Sequence, residues 1–217
     1  MTLATSAMGS SPEDNRLAVT LDYSVLDHLQ RIEDGTYTGA RADTLLRIRA
    51  AGKSRRIDVW MSEITPVEML HGLEKLATDD AKRARAMARD KTKETIATGM
   101  GARTLAYPCS KFGDTYSRLG ISFRFAGPDS HLADAFERKL LSIKGVSAGD
   151  ARHLVSCAFP TDGTNVDFHP RLDCFVAEDV DLIRGLRAEV AAGNLRELRH
   201  LSIGTSEEIV REHPSDF

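Results

Sequence analysis

Long apolar runs are missing from this sequence of 217 residues. No stretch approaches the roughly 18 consecutive apolar residues that a bilayer-spanning helix needs. The opening MTLATSAMGSSPEDNR has no basic segment leading into a sustained apolar one, so it does not read as a signal peptide. These absences predict a cytoplasmic protein with no membrane partner, and residues 1–16 as a flexible tail. Cysteine is scarce: there are three, Cys109, Cys157 and Cys174, spaced as neither a CxxC pair nor a disulfide framework. All three are expected to be reduced, with Cys157 and Cys174 packed as small hydrophobes. A dominant charge is lacking too, since 29 Lys and Arg face 32 Asp and Glu for a formal net charge of -3. A polyanion would therefore have to be met by a local basic patch. No P-loop, zinc-spaced cysteines or Gly-x-Ser-x-Gly elbow occurs, and Gly99-Met-Gly101 is too short for a phosphate loop.

What is present is 41% apolar content, enough for one large domain, which we place at residues 17–217. LAVTL (17–21) is a continuous apolar, β-branched run of the kind found in strands covered on both faces. A helix is predicted from Val25 to Ile32, another over ADTLLRIRAAG closing on Gly52, and a strand over RIDVWM (56–61). ITPVEMLHGLEKLA has Thr65 as an N-cap, Pro66 at the first helical position and apolar residues at helical spacing. A long charged helix over 79–97 follows, then loop, and then a helix over 130–142. Ser147 caps a helix over GDARHLVSCA, TDGTNVDFHP is turn material, and CFV (174–176) is a strand. DLIRGLRAEVAAG is a helix stopped by Gly193, with a last strand near 197–203 and a final helix SEEIVREH. Alternating strands and helices predict an α/β fold with a parallel sheet between helical layers. The stretch from 78 to 146 reads as a helical and loop insertion.

Four acids fall where a parallel α/β sheet gathers its ligands, beyond the carboxyl ends of the strands. Asp22 follows LAVTL, Asp179 follows CFV by three residues, and Glu68 and Asp150 stand in first helical turns. Carboxylates brought together repel unless a cation joins them, and a hard ion such as Mg²⁺ or Mn²⁺ is the natural one. Carboxylate sites of this kind hydrolyse phosphodiesters. The same residues also fit a plainer role: Thr65-Pro-Val-Glu68 and Ser147-Ala-Gly-Asp150 have the form of capping boxes, as does Thr205-Ser-Glu-Glu208.

VTLDYSVLDHL, MSEITPVEMLHGL, GDARHLVSCA and DCFVAEDVDLI resemble, in order, the four elements of the PIN-domain family of metal-dependent ribonucleases, which includes toxins of bacterial toxin-antitoxin pairs. The resemblance implies a three-layer α/β/α sandwich with a central parallel sheet of four to five strands. It also implies that Asp22, Glu68, Asp150 and Asp179 are the catalytic, metal-holding acids, supported by Ser24. Ala177 stands where the family commonly has Thr, so Asp173, Glu178 or Asp181 are candidates to share the work of Asp179. RNA is the implied substrate and a cognate antitoxin protein an implied partner of the toxin members; a homodimer is compatible with both.

Basic residues crowd two regions, Arg47, Arg49, Lys53, Arg55 and Arg56 in one and residues 82–93 in the other. Lys82, Arg85, Arg89 and Lys93 fall along one helical face, either as an RNA-phosphate contact or as a solvated surface. Trp60 and Phe112 are candidate base-stacking platforms, with Trp60 better read as core. Glu68-Met-Leu-His71 and Asp150-Ala-Arg-His153 also admit a di-iron helical bundle, although both histidines read more simply as helix residues with satisfied rings. Beside the nuclease stand an inactive PIN-like scaffold for RNA binding or assembly, and a nuclease acting on DNA.

Overall fold

The computed structural model describes residues 16–37, 39–62, 64–66, 116–128, 130–162 and 170–217. Glu68, His71, the basic helix 79–97 with Lys82, Arg85, Arg89 and Lys93, the pair Gly99 and Gly101, Cys109 and Phe112 lie outside them. Within them the chain runs β1 (Leu17–Leu21), α1 (Tyr23–Glu33), α2 (Ala42–Lys53), β2 (Ile57–Ser62), a 3-10 turn at Ser117–Leu119, then β3 (Phe123–Pro128). It continues through α3 (Ser130–Leu141), α4 (Ala148–Ala158), β4 (Pro160–Asp162), β5 (Cys174–Val176) and α5 (Val180–Ala191). A 3-10 turn at Arg196–Leu198 leads to β6 (Ser202–Gly204) and α6 (Ser206–Glu212).

Six strands form one mixed sheet in the order β4-β3-β2-β1-β5-β6. Five are parallel and β4 is antiparallel to β3. The expected all-parallel sheet is corrected by that one edge strand, which arises from residues read as turn material. Strand β3 was not foreseen either, although Ile121-Ser-Phe-Arg-Phe-Ala alternates at the period of a strand. The strand expected over 197–203 is shorter, Ser202–Gly204, with a 3-10 turn at Arg196–Leu198 before it. The fold is α/β, and a sheet of this kind excludes the helical bundle that a di-iron site would need.

The alternation of side chains along buried strands builds two cores. Val19 and Leu21 of β1, Val59 and Met61 of β2 and Cys174 and Val176 of β5 pack with α1, α2 and α6 on one face. Ala18, Trp60, Phe175 and Ile203 pack with α3, α4 and α5 on the other, where Phe136, Leu140, Leu154, Leu182 and Leu186 supply the helix sides. Trp60 is thus core, with the Arg124 guanidinium 5.5 Å from its ring centre. Helix α2 does not close on Gly52 but runs on through Lys53. A Cβ on Gly52 would meet Val59 Cγ2 at 3.1 Å, so glycine lets this helix lie close against β2. Gly193, by contrast, follows α5 at a φ of +79°, a left-handed conformation that suits glycine at a helix stop.

Charged residues near the ends are occupied in fixing this frame. Arg16, read as the end of a loose tail, pairs with Asp58 at 3.4 Å and donates to the Arg55 carbonyl. Arg49 donates to the Leu119 and Arg118 carbonyls and to Glu33, and Arg56 to the Phe217 carbonyl. Two of the five residues of that first basic cluster, Arg49 and Arg56, are therefore structural. The capping box at Thr205 and Glu208 is present, and it holds the Glu208 carboxyl below the usual glutamate range, first through the Thr205 N–H and then through Arg187. An acid with a lowered folded pKa contributes stability above its unfolded pKa and loses it as pH falls through the folded one.

Two outcomes follow. Leu26→Ala, in a fully buried position of α1, should cost about 2–5 kcal/mol in urea denaturation. Glu208→Gln should lower stability at neutral pH, and the difference from the parent should shrink as pH drops below roughly 4.3.

Candidate functional site

The chain leaves β1 toward β2 and β3 on one side, and leaves β5 toward β6 on the other. The topological switch point therefore lies between β1 and β5, which pair directly through Val19 to Cys174, Thr20 to Phe175 and Leu21 to Val176. At such a point the loops leaving the two strands part and open a crevice at their carboxyl ends. The residues just beyond those ends are Asp22 and Ser24 after β1, and Glu178 and Asp179 after β5.

Asp22 is held tightly. Its N–H donates to the Val176 carbonyl at 2.8 Å, continuing the β1–β5 ladder by one rung. Its Oδ2 accepts from the Ser24 N–H at 3.1 Å and from the Ser24 hydroxyl at 2.5 Å, which caps α1. The Ser24 Oγ in turn accepts from the Glu178 N–H at 3.2 Å, so one hydroxyl ties the two loops together. Asp22 Oδ1 has no hydrogen-bond partner among the described residues, and its nearest polar neighbour is His153 Nδ1 at 3.7 Å.

Asp150 and Asp179 each cap a helix. Asp150 Oδ2 accepts from the Ser147 N–H at 2.8 Å while Ser147 Oγ accepts from the Asp150 N–H, a complete capping box for α4. Asp179 Oδ1 accepts from the Asp181 and Leu182 N–H groups, both at 3.0 Å, and so caps α5. In both cases one carboxylate oxygen does the capping and the other has no hydrogen-bond partner among the described residues. Capping and cation binding are therefore compatible at these positions, since a carboxylate has about four lone-pair sites.

The acids considered as helpers of Asp179 sort clearly. Glu178 is buried, with Oε1 accepting from the Ser206 N–H at 3.2 Å and Oε2 paired with Arg41, so it ties the β5 loop to α6. Asp173 precedes β5 and accepts from the Ala18 N–H at 3.0 Å, at the opposite edge of the sheet. Asp181 is exposed and paired with Arg184 at 3.1 Å. None of the three reaches the crevice as a free carboxylate.

His153 was read as a helix histidine with a satisfied ring, and its surroundings differ. It is fully buried in α4, 5.1 Å from the Phe175 ring in an edge-to-face arrangement, and neither ring nitrogen has a hydrogen-bond partner. Burial holds the imidazole below its ordinary pKa and so neutral, against the carboxylates of Asp22 and then Asp150, which pull it upward. An unpartnered buried polar atom costs about 1–3 kcal/mol. The sequence carried a signal for it: Asp150-Ala-Arg-His153 puts acid and histidine one helical turn apart, and the apolar face of the same helix turns the histidine inward.

No family model, curated protein or solved structure matches this chain. Among the described residues there is also no group of three or more His, Cys, Asp or Glu side chains placed to hold a metal ion. Asp22 and Asp150 both act on His153, and Asp179 stands on the neighbouring loop; Glu68 falls outside the described residues.

The two described cysteines are inert by their surroundings. Burial pushes both the Cys157 and the Cys174 thiol up to about 12. The thiolate is the nucleophile, so neither should react with a thiol reagent in the folded protein at neutral pH, and both should react after unfolding in denaturant. Ser24→Ala removes the hydroxyl that joins the two loops and should cost about 1–3 kcal/mol in denaturation.

Proposed function

We propose that this chain is a PIN-like, three-layer α/β/α nuclease that hydrolyses RNA phosphodiester bonds with a divalent cation, Mg²⁺ or Mn²⁺, held at the β1–β5 switch point. The observation that carries this reading is that acids follow the two central strands at that point, and that Asp22 Oδ1 accepts no hydrogen bond among the described residues. The donor chemistry fits a cation: carboxylate oxygens each left with free lone pairs, beside a buried imidazole without a partner. A cation bound there would supply the charge stabilisation and water activation that phosphodiester hydrolysis requires.

The protein's own contributions follow from the contacts. Asp22 presents Oδ1 in a fixed direction, because its backbone is part of the β1–β5 ladder and its other oxygen is held by Ser24. Ser24 sets the spacing of the two loops. Asp150 and Asp179 each anchor a helix start and keep one carboxylate oxygen without a hydrogen-bond partner among the described residues. The similarity of the Glu68 segment to its family counterpart brings in that residue as the fourth acid; Lys82, Arg85, Arg89 and Lys93, along one face of a helix expected from sequence, are the proposed phosphate contacts. A cognate antitoxin protein and a homodimer belong to the same proposal, as does residence in the cytoplasm.

A second reading has its own observation. All three described acids cap helices, and no group of three metal-binding side chains occurs among the described residues. That pattern suits a PIN-like scaffold that binds RNA or assembles with a partner and has no turnover.

The purified protein should cleave a labelled single-stranded RNA in Mg²⁺ or Mn²⁺ and stop in a chelator. Asp22→Asn should lower the rate by at least ~100-fold, a loss of about 2.7 kcal/mol at 1.36 kcal/mol per decade, with an unchanged circular dichroism spectrum. Cleavage that survives the substitution or the chelator would refute the nuclease reading, and metal-independent RNA binding without cleavage would favour the scaffold. Running a DNA strand of the same sequence in parallel distinguishes the sugar.

A further inference from the structure

The pair formed by Asp22 and His153 has features that helix capping does not explain. His153 is fully buried, both ring nitrogens are unpartnered, and Nδ1 stands 3.7 Å from the unengaged Oδ1 of Asp22. That distance is too long for a hydrogen bond. It is close to the span of two donors on one ion, since two bonds of roughly 2.0–2.2 Å at a tetrahedral angle separate their donors by about 3.3–3.6 Å. The two side chains come from different elements, Asp22 from the end of β1 and His153 from the second turn of α4, and each is fixed independently. Asp22 is held by Ser24 and by the β-ladder, and His153 by Phe175 and its helix.

We propose that His153 Nδ1 and Asp22 Oδ1 together ligate the cation, so that the site is a mixed nitrogen and oxygen one selecting a first-row transition ion, such as Mn²⁺ or Co²⁺, over Mg²⁺. This rests on the reading of the switch point as a cation site and goes beyond it in naming the ion class. Imidazole suits the later first-row ions, whereas Mg²⁺ prefers oxygen and keeps its waters. Water would complete the coordination, since Asp22 and His153 are the two side chains the geometry brings together. A neutral imidazole is the form that ligates, and the burial of His153 maintains it.

The test uses the full chain with Zn²⁺, Co²⁺ and Mg²⁺ as probes. Calorimetry should give a Co²⁺ affinity that falls by about tenfold or more in His153→Leu, while Mg²⁺ affinity changes little, so the preference between the ions contracts. His153→Gln, which keeps a polar group but not the imidazole, should behave as His153→Leu does; circular dichroism checks that both fold. Long-range proton–nitrogen spectra of the unmutated protein give a readout independent of any variant. Zn²⁺ should shift one ring nitrogen of the histidine whose signals vanish in His153→Leu. An unshifted His153, a shift confined to other histidines, or an ion preference intact in both variants would overturn the proposal. Loss of all cation binding in Asp22→Asn with preference retained in His153→Leu would sink this inference alone. Unchanged binding in Asp22→Asn would sink the cation site itself.

Discussion

Strand β1 is hydrogen-bonded along both edges, to β2 and to β5, and covered on both faces by helices. That enclosure governs the rest of the molecule. A strand so placed must be apolar from end to end, and Leu17–Leu21 is nearly so. The first charged side chain the chain can release is therefore at its carboxyl end, where Asp22 emerges beside the loop leaving β5. Because the chain departs from these two strands in opposite directions, their carboxyl ends form the switch point of the sheet. The position of the candidate site is a consequence of topology, and the identity of its residues is a consequence of the strand's burial.

Around that point a few polar contacts do most of the organising. Ser24 accepts from the β5 loop and donates to Asp22; Glu178 spends both oxygens on Arg41 and on the start of α6. These links hold the two loops at a fixed separation, so Asp22 meets the crevice with one oxygen already committed and one free. The unpartnered imidazole of His153 sits against that free oxygen. A buried polar atom without a partner is costly, and a bound water or ion is one way such an atom is satisfied. His153 supplies two of the eight buried side-chain polar atoms without a hydrogen-bond partner among the described residues, and its Nδ1 lies against Asp22.

Much of this was legible in the sequence wherever a local rule governs. LAVTL and CFV announce buried strands by continuous apolar runs, and Ser147 with Asp150 and Thr205 with Glu208 announce helix starts by capping chemistry. Gly193 marks a helix end by its left-handed backbone. The misses have a common physical origin in tertiary context. Phe123–Ala126 keeps the alternation of a strand, and its polar position Arg124 lies over Trp60 on the neighbouring strand, a contact no local pattern reveals. Pro160–Asp162 becomes a strand only because β3 offers it an edge. Gly52 looked like a helix stop, yet its lack of a side chain serves close packing against Val59. For the site, sequence placed Asp22 and Asp179 just beyond strand ends and Asp150 in a first helical turn, but could not tell capping from ligation, because the same side chain does the first and remains capable of the second. His153 was visible as a turn-spaced neighbour of Asp150; its burial and lack of a partner became apparent only from the packing of α4 on Phe175.

The central claim is that a cation belongs at the β1–β5 switch point, against Asp22. Crystals grown with Mn²⁺ and measured near its absorption edge would test this most directly through anomalous scattering. The account predicts a strong anomalous peak at about 2.0–2.6 Å from Asp22 Oδ1. A well-defined crevice with no peak, or a peak bound only at surface carboxylates away from Asp22, would contradict it.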